Sequence, residues 1–145
     1  MKTRLFTLAI FTAFLFSGCE KEDESLIELN QVPSEIQTFV STHFPEQTVT
    51  RVIQDTESSA KTYDLYLDNF TKLEFGEKNE IVEIEGQTKL PDSVVPGNIL
   101  IYVGLTYPDN YITSWELENN IQQITLNNGL EIEFNLNGNF LRIDG

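Results

Sequence analysis

A stretch of sequence that occurs twice constrains this fold more than any other feature of the chain. Residues 63–86 (YDLYLDNFTKLEFGEKNEIVEIEG) align with residues 122–145 (QQITLNNGLEIEFNLNGNFLRIDG), which places Phe75 on Phe134. The similarity continues upstream at a slightly larger spacing, where Phe-Pro in the first copy matches Tyr-Pro in the second. Self-similarity on this scale indicates a repeated supersecondary unit.

Each copy is too short to make a stable domain by itself. A unit of about 60 residues buries too little of its surface on folding to be more than marginally stable. We therefore predict one domain, residues 32–145, in which repeats 32–86 and 90–145 share a core.

Apolar residues with helical spacing begin each copy. In the first copy they lie between Pro33 and Pro45, and Pro is tolerated in the first turn of a helix but not in its interior. The matching segment of the second copy would also suit a buried strand when read alone, and the repeat favours a helix. The apolar stripes are Ile36, Phe39, Val40 and Phe44 in the first copy and Ile99, Tyr102, Val103 and Tyr107 in the second.

Four short segments of alternating apolar and polar residues follow each predicted helix. Alternation places one side of a strand on the core and the other in water. We predict an α+β fold of two tandem repeats, each one helix followed by a four-stranded antiparallel meander, with the helices on one sheet face and the other face exposed to solvent. In the fourth strand we expect Val82 and Ile84 to face the core. The predicted strands are 48–55, 62–68, 71–75, 81–85, 111–117, 121–127, 130–135 and 139–143.

The second predicted helix is apolar on more than one side. Leu100, Ile101 and Leu105 stand where the first helix has polar residues. We expect these three side chains to pack against the neighbouring copy, and the alternative is contact with a partner or a second chain. The predicted state is a monomer, or a weak homodimer formed through these residues.

The N-terminus has the composition of an export signal. Two basic residues precede an apolar run, residues 5–16, which is too short to span a bilayer, and the Ser-Gly-Cys sequence ending at Cys19 resembles the lipobox of bacterial lipoproteins. We predict a signal peptide over 1–18, lipidation of Cys19 and an acidic tether over 19–31. A diacylglyceryl group supplies the two chains that stable membrane anchoring needs. The alternative is an ordinary secretory signal.

The predicted location is therefore the cell envelope, as an outer-membrane lipoprotein. The acidic residues directly after Cys19 also resemble the export signal of surface lipoproteins of the Bacteroidota. Exposure on the cell surface is thus an alternative to a periplasmic orientation.

The chain is acidic, with a formal net charge of −14 at pH 7. No region is basic, so we expect no binding to nucleic acid, whose phosphates require Lys and Arg. Solubility explains most such acidity. Attraction of a basic partner is the alternative.

The predicted solvent face of the sheet carries an aromatic residue among charged ones. Tyr66 points to this face by strand parity, whereas we assign Trp115 to the core. We expect Phe70, at a hairpin tip, to fold back onto the core, and contact with a partner is the alternative. Aromatic residues among charges are typical of protein-binding surfaces. The candidate binding face comprises Asp64, Tyr66, Asp68, Phe70, Lys72 and Glu74 in the first copy and Gln123, Thr125, Glu131, Glu133 and Arg142 in the second.

The residue combinations used in catalysis and metal binding are missing from the sequence. His43 is the one histidine, which we place on the helix surface, and the one cysteine is assigned to lipidation. Neither a nucleophile with its base nor a thiolate metal site can form from these. Glu131 and Glu133 are adjacent acids on one strand face, an arrangement typical of solvation rather than of general acid–base catalysis. We predict a protein that is not an enzyme and that has no metal or cofactor.

The repeated features together resemble a known family. These are the helix ending in Phe-Pro or Tyr-Pro, the meander, the LEF or IEF strand and the final Gly. They resemble the PepSY-like group of β-lactamase-inhibitor-like lipoproteins, found mainly in the Bacteroidota, over about residues 32–145. The resemblance implies two helix-plus-four-strand repeats whose sheets form one curved surface able to grip a partner protein. It transfers no inhibitory residue to this chain, and we do not predict β-lactamase inhibition.

These observations predict a lipid-anchored, non-enzymatic binding module of the cell envelope that contacts a protein or peptide through its open sheet face. The alternative is an envelope protein that binds small molecules or cations through the acidic sheet surface.

Overall fold

The computed structural model describes residues 24–57 and 60–144. The predicted signal peptide and Cys19 lie outside these residues. The first part of the chain forms β1 (Ser25–Leu26), a 3₁₀ turn (Leu29–Gln31), α1 (Ser34–His43), β2 (Val49–Glu57), β3 (Ala60–Leu67), β4 (Lys72–Phe75) and β5 (Ile81–Glu85). The second part forms a 3₁₀ turn (Asp92–Val94), α2 (Gly97–Thr106), β6 (Ile112–Glu118), β7 (Ile121–Leu126), β8 (Glu131–Asn135) and β9 (Phe140–Asp144).

All described strands belong to one antiparallel sheet, and the predicted fold class is wrong. The strands lie in the order β1-β2-β3-β4-β5-β6-β7-β8-β9, so the molecule is a nine-stranded sheet with two helices rather than an arrangement of helix-plus-four-strand repeats. β5 pairs directly with β6, with Ile84 opposite Trp115. Joining the strands in this way removes two sheet edges, whose backbone groups would otherwise be unpaired.

The edge strand β1 was not predicted. Ser25 and Leu26 pair with Gln54 and Ile53 of β2, inside the segment predicted as a solvated tether. Two residues are too few to show the alternation by which a strand is recognised in a sequence.

Both helices cover the same face of the sheet. A row of apolar residues crosses the strands on that face, and Leu65, Leu73, Ile84, Ile124 and Ile132 in this row are fully buried. α1 contributes Ile36 and Val40 to the core, and α2 contributes Ile99 and Val103. The helix predicted from the apolar stripe of the second copy is confirmed, as α2. Within the described residues, neither helix is long and apolar enough to cross a membrane.

A β-bulge changes which residues of β5 face the core. Glu74 pairs with Glu83 but Phe75 pairs with Ile81, so Val82 is an extra residue between them. Ile81 packs against the core together with Ile84. The prediction that Val82 faces the core is therefore wrong, because a bulge interrupts the strict alternation on which it was based.

The three additional apolar residues of α2, Leu100, Ile101 and Leu105, differ in burial. Leu100 packs against the core, whereas Ile101 and Leu105 are 61% and 80% exposed. The prediction that all three pack against the neighbouring copy is wrong for Ile101 and Leu105, because α2 turns its opposite side, with Ile99 and Val103, toward the sheet.

Candidate functional site

The sheet face opposite the helices, called the open face below, carries a continuous row of polar side chains. Seven residues from seven neighbouring strands lie opposite one another in register, and five of them are acidic. Opposite side chains in a sheet are about 5 Å apart at Cβ. This set, called the cross-strand row, is Asp64, Glu74, Glu83, Glu116, Gln123, Glu133 and Arg142.

The cross-strand row is acidic where it crosses β3 to β6. Asp64 faces Glu74, Glu74 faces Glu83, and Glu83 faces Glu116. Like charges directly opposite each other destabilise a sheet. The fold therefore holds an arrangement of carboxylates that opposes its own stability.

Lys72, which lies beside the cross-strand row on β4, partly compensates this repulsion. Its Nζ lies 2.9 Å from Glu74 Oε2, 3.4 Å from Asp64 Oδ2 and 3.5 Å from Glu83 Oε2. Burial opposes the charge of Lys72, but the hydrogen bond to Glu74 and the three carboxylates outweigh burial and raise the pKa of Lys72. The ammonium group of Lys72 thus forms salt bridges with residues of three strands, β3, β4 and β5.

Asp64 and Glu83, two of the acids around Lys72, are harder to ionise than free carboxyls. Burial raises the pKa of Asp64, the positive charge of Lys72 opposes that rise, and Glu74 adds to it. Burial likewise raises the pKa of Glu83 against the effect of Lys72, with Glu74 and Glu116 contributing. Desolvation and crowding of like charges therefore prevail over the single lysine.

Aromatic and cationic groups adjoin the acidic part of the face at β2 and β3. Arg51 lies opposite Tyr66, and its guanidinium carbon is 4.0 Å from the centroid of the tyrosine ring, a cation–π contact. Phe70, in the β3–β4 turn, is 75% exposed and has a positive φ of 65°. The prediction that Phe70 folds back onto the core is wrong, because the left-handed turn directs its side chain into solvent.

The β7–β9 end of the open face is more tightly bonded than predicted. Arg142 Nη2 donates to Glu133 Oε1 at 2.7 Å, and Gln123 Nε2 donates to Glu131 Oε2 at 3.1 Å. Glu133 is buried, so its prediction as a solvent-exposed side chain is wrong. Neighbouring strands and the arginine cover it. Thr125 of β7 lies opposite Ser114 of β6 and Glu131 of β8.

The structure brings both predicted halves of the candidate face onto one surface. Asp64, Tyr66, Lys72 and Glu74 cluster on β3 and β4, while Asp68 occupies the turn beside them. The residues that connect the halves were missed in the sequence: Glu83, Glu85, Ser114 and Glu116. Their alternation along β5 and β6 was visible, but only the pairing of β5 with β6 makes them neighbours.

Other predicted positions contribute to packing. Trp115 is buried as predicted, and its indole N–H donates to Gln122 Oε1 at 3.0 Å. His43 packs beside Phe39 on α1 and contacts Ser93 Oγ through Nδ1 at 2.9 Å. In the part of the chain that the structure describes, no group of three or more His, Cys, Asp or Glu residues is arranged to hold a metal ion.

Comparison with protein families places the chain among known sequences. Residues 17–62 and 61–142 both match one family model, described as beta-lactamase-inhibitor-like and PepSY-like. Among proteins with curated descriptions, none matches significantly.

Solved structures from Bacteroides are similar over most of the chain. A protein of the DUF2874 family from Bacteroides vulgatus is 35% identical, with a TM-score of 0.79, and the alignment covers 88% of this chain and 100% of that one. A protein from Bacteroides thetaiotaomicron, described as calcium-regulated, is 28% identical, with a TM-score of 0.79 and coverage of 85% and 98%. Both are described as "putative" periplasmic proteins.

Proposed function

Because this chain belongs to the PepSY-like, beta-lactamase-inhibitor-like family, we propose that it is a binding module of the bacterial cell envelope and not an enzyme. The family membership confirms the resemblance noted in the sequence. The periplasmic descriptions of the Bacteroides relatives support an envelope location. Anchoring to the outer membrane through a lipid on Cys19 is part of this proposal and rests on the sequence motif.

The cross-strand row carries the proposal. Four carboxylates face one another on β3 to β6, next to one lysine, at a cost to folding stability. A partner with a basic surface would relieve that cost, because complementary charges steer association and select partners. The exposed Phe70 and the stacked Arg51 and Tyr66 add the aromatic contacts that dominate many protein interfaces. The proposed ligand is therefore a protein or peptide with a Lys- or Arg-rich face.

The test compares charge reversals of equal size on two surfaces of the full chain. Glu116→Lys changes the cross-strand row, and Glu46→Lys changes an exposed residue outside the sheet. Because Glu116 faces Glu83, a lysine there reduces repulsion within the protein, so a loss of binding would not reflect unfolding. Partners are crosslinked on intact cells with the wild type, and capture of the same proteins is then quantified with each variant.

We expect Glu116→Lys to reduce capture of the principal partner about tenfold or more, as expected for reversal of a charge at a complementary interface, and Glu46→Lys to leave it unchanged. Tyr66→Ala should also reduce capture. Equal capture by the wild type and all three variants would remove the open face from the proposal.

Cation binding is the second candidate. It is favoured by the row of carboxylates and by the relative described as calcium-regulated. In this structure the ammonium group of Lys72 lies among Asp64, Glu74 and Glu83, so its removal would leave three carboxylates without their cationic partner. A Ca²⁺-dependent rise in melting temperature that is larger in Lys72→Met than in the wild type would support this candidate, since ligands of the native state stabilise it. No rise in either protein would discard it.

A further inference from the structure

The free edge of β9 is a second surface that the open face does not include. β8 pairs with one side of β9, and among the described residues no strand pairs with its other side. An exposed strand edge is a template for pairing with another chain. We propose that this edge pairs with the same edge of a second copy of the protein, so that two nine-stranded sheets continue into one across a twofold axis.

The backbone of Ile143 is directed toward this free edge. Leu126 donates its N–H to the carbonyl of Leu130 at 2.9 Å, which defines a hydrogen-bonded pair at the β7–β8 turn. Bonded and non-bonded pairs alternate along an antiparallel ladder, so Ile132 also bonds to β7. Its opposite residue in β9 is Ile143, and that pair is therefore not hydrogen-bonded. The N–H and C=O of Ile143 consequently point away from β8.

Side chains along β9 continue the hydrophobic core without a cover. Ile143 lies opposite Ile132 in the same way that Ile84 lies opposite Leu73. Ile84 has no exposed surface, because β6 follows with Trp115, whereas Ile143 is 49% exposed. This difference in exposure arises because β6 pairs with β5, whereas no described strand pairs with the outer side of β9. A further strand beside β9 would bury Ile143 as β6 buries Ile84.

An aromatic pair connects α2 with this edge of the sheet. The ring of Tyr102 stacks on that of Phe140 in β9, with 5.2 Å between their centroids. Leu105 follows Tyr102 by one helical turn, and Ile101 precedes Leu105 by one turn. Both are exposed and lie on the side of α2 that faces away from the sheet, since Ile99 and Val103 face the sheet. Leu100, by contrast, packs against the core and is not part of this surface.

Charge complementarity identifies the occupant as a second copy. If two β9 strands pair in antiparallel orientation about Ile143, each Ile143 lies opposite its counterpart. Arg142 of each chain then lies opposite Asp144 of the other, which gives two cross-strand pairs of opposite charge on the open face. A register centred on Arg142 would instead oppose the two arginines. The sequence of β9 is thus self-complementary in the register that its backbone groups permit.

Cysteine crosslinking tests the register in the full chain. Two residues directly opposite in a hydrogen-bonded pair have Cα atoms about 5.5 Å apart, which suits a disulfide. We expect Ile143→Cys to form a disulfide-linked dimer under mild oxidation on cells, at a yield about tenfold above that of Leu26→Cys. Leu26 is the matched control, because it is an exposed apolar residue on the opposite sheet edge, β1. The parent chain, whose one cysteine is Cys19, gives the baseline.

A charge reversal separates the proposed pairing from chance collision. Adding Asp144→Arg to Ile143→Cys places arginine opposite Arg142 of the other copy, and we expect about a tenfold lower yield of dimer. Adding Asp109→Arg, a reversal on an exposed loop residue, should change nothing. Equal yields from the two edges, or no effect of Asp144→Arg, would overturn the proposal.

Light scattering of the full chain in detergent gives the molecular mass directly. The wild type should contain two chains, Ile143→Lys one chain and Leu26→Lys two. Unchanged fluorescence of Trp115 would show that Ile143→Lys is folded. A wild type that contains one chain at every concentration would refute the dimer, as would larger assemblies abolished by Leu26→Lys, which would indicate pairing of β9 with β1. The test does not depend on the proposed partner of the open face.

Discussion

Replacement of Lys72 by Met tests whether this residue holds the open face together. Three carboxylate oxygens lie 2.9, 3.4 and 3.5 Å from its Nζ, and the side chains involved are about one-quarter to one-third exposed. Ion pairs that solvent reaches in this way contribute about 0.5–1 kcal/mol each. We therefore expect Lys72→Met to lower the free energy of unfolding by about 2 kcal/mol at pH 7, because the variant loses the pairs and retains their acids.

The loss should depend on pH in a defined direction. Burial raises the pKa of Asp64 and of Glu83 above their ordinary values of 3.8 and 4.5, and Lys72 limits both shifts. Each carboxyl binds more protons in the folded than in the unfolded state, so stability falls as pH rises from the ordinary value through the raised one. Removing Lys72 raises both pKa values further and enlarges that fall. Below about pH 3.5, Asp64 and Glu83 are largely protonated in the wild type and in Lys72→Met. The loss of unfolding free energy caused by the substitution should therefore nearly vanish.

Urea unfolding followed by the fluorescence of Trp115, the single tryptophan, measures this difference at both pH values. Lys89→Met is the matched control, because Lys89 pairs with Asp92 at 2.8 Å with both side chains more than half exposed. We expect the control to change the free energy of unfolding by less than about 0.5 kcal/mol at either pH. An equal loss for Lys72→Met at the two pH values would refute the electrostatic explanation.

Three further substitutions test other parts of the fold. Gln122→Leu leaves the buried indole N–H of Trp115 without an acceptor, and it should lower the free energy of unfolding by about 2 kcal/mol in urea titrations. Gly138→Ala should lower the melting temperature more than Gly129→Ala. Both glycines have a positive φ, so alanine is strained at either position. A Cβ at Gly138 would also lie 2.8 Å from Cβ of Asn98 in α2, whereas a Cβ at Gly129 would meet open space. Phe70→Gly should raise the free energy of unfolding by about 1 kcal/mol, because it removes an exposed side chain from a left-handed conformation, and should weaken capture of the partner.

Much of the local structure could be predicted because it depends on short-range patterns. The helical spacing of Ile99 and Val103 and the alternation along β3 and β7 are properties of neighbouring residues. The bulge at Val82 could not be predicted in this way, because it is defined by the register between two strands. Phe70 was misplaced for a similar reason. An aromatic residue favours burial on average, and only the backbone of its turn directs it outward.

The candidate site shows the same division. Strand parity identified Asp64, Tyr66, Lys72 and Glu74 as a cluster, and the structure has them on one face. The length of the acidic row was not predictable, because it depends on the pairing of Glu83 with Glu116 across two strands that are separated in sequence by α2.

The amino-acid sequence by itself determined the positions of the two helices, most strand segments, the acidic charge and the side chains on each face of the strands without bulges. These follow from composition and from periods of two and 3.6 residues. Only the tertiary structure decided that all described strands join one sheet, that the extra strand β1 pairs with β2, and that no described strand pairs with the outer side of β9. Strand pairing is a long-range choice. Its energy comes from backbone hydrogen bonds and from side chains that meet only after the chain has folded.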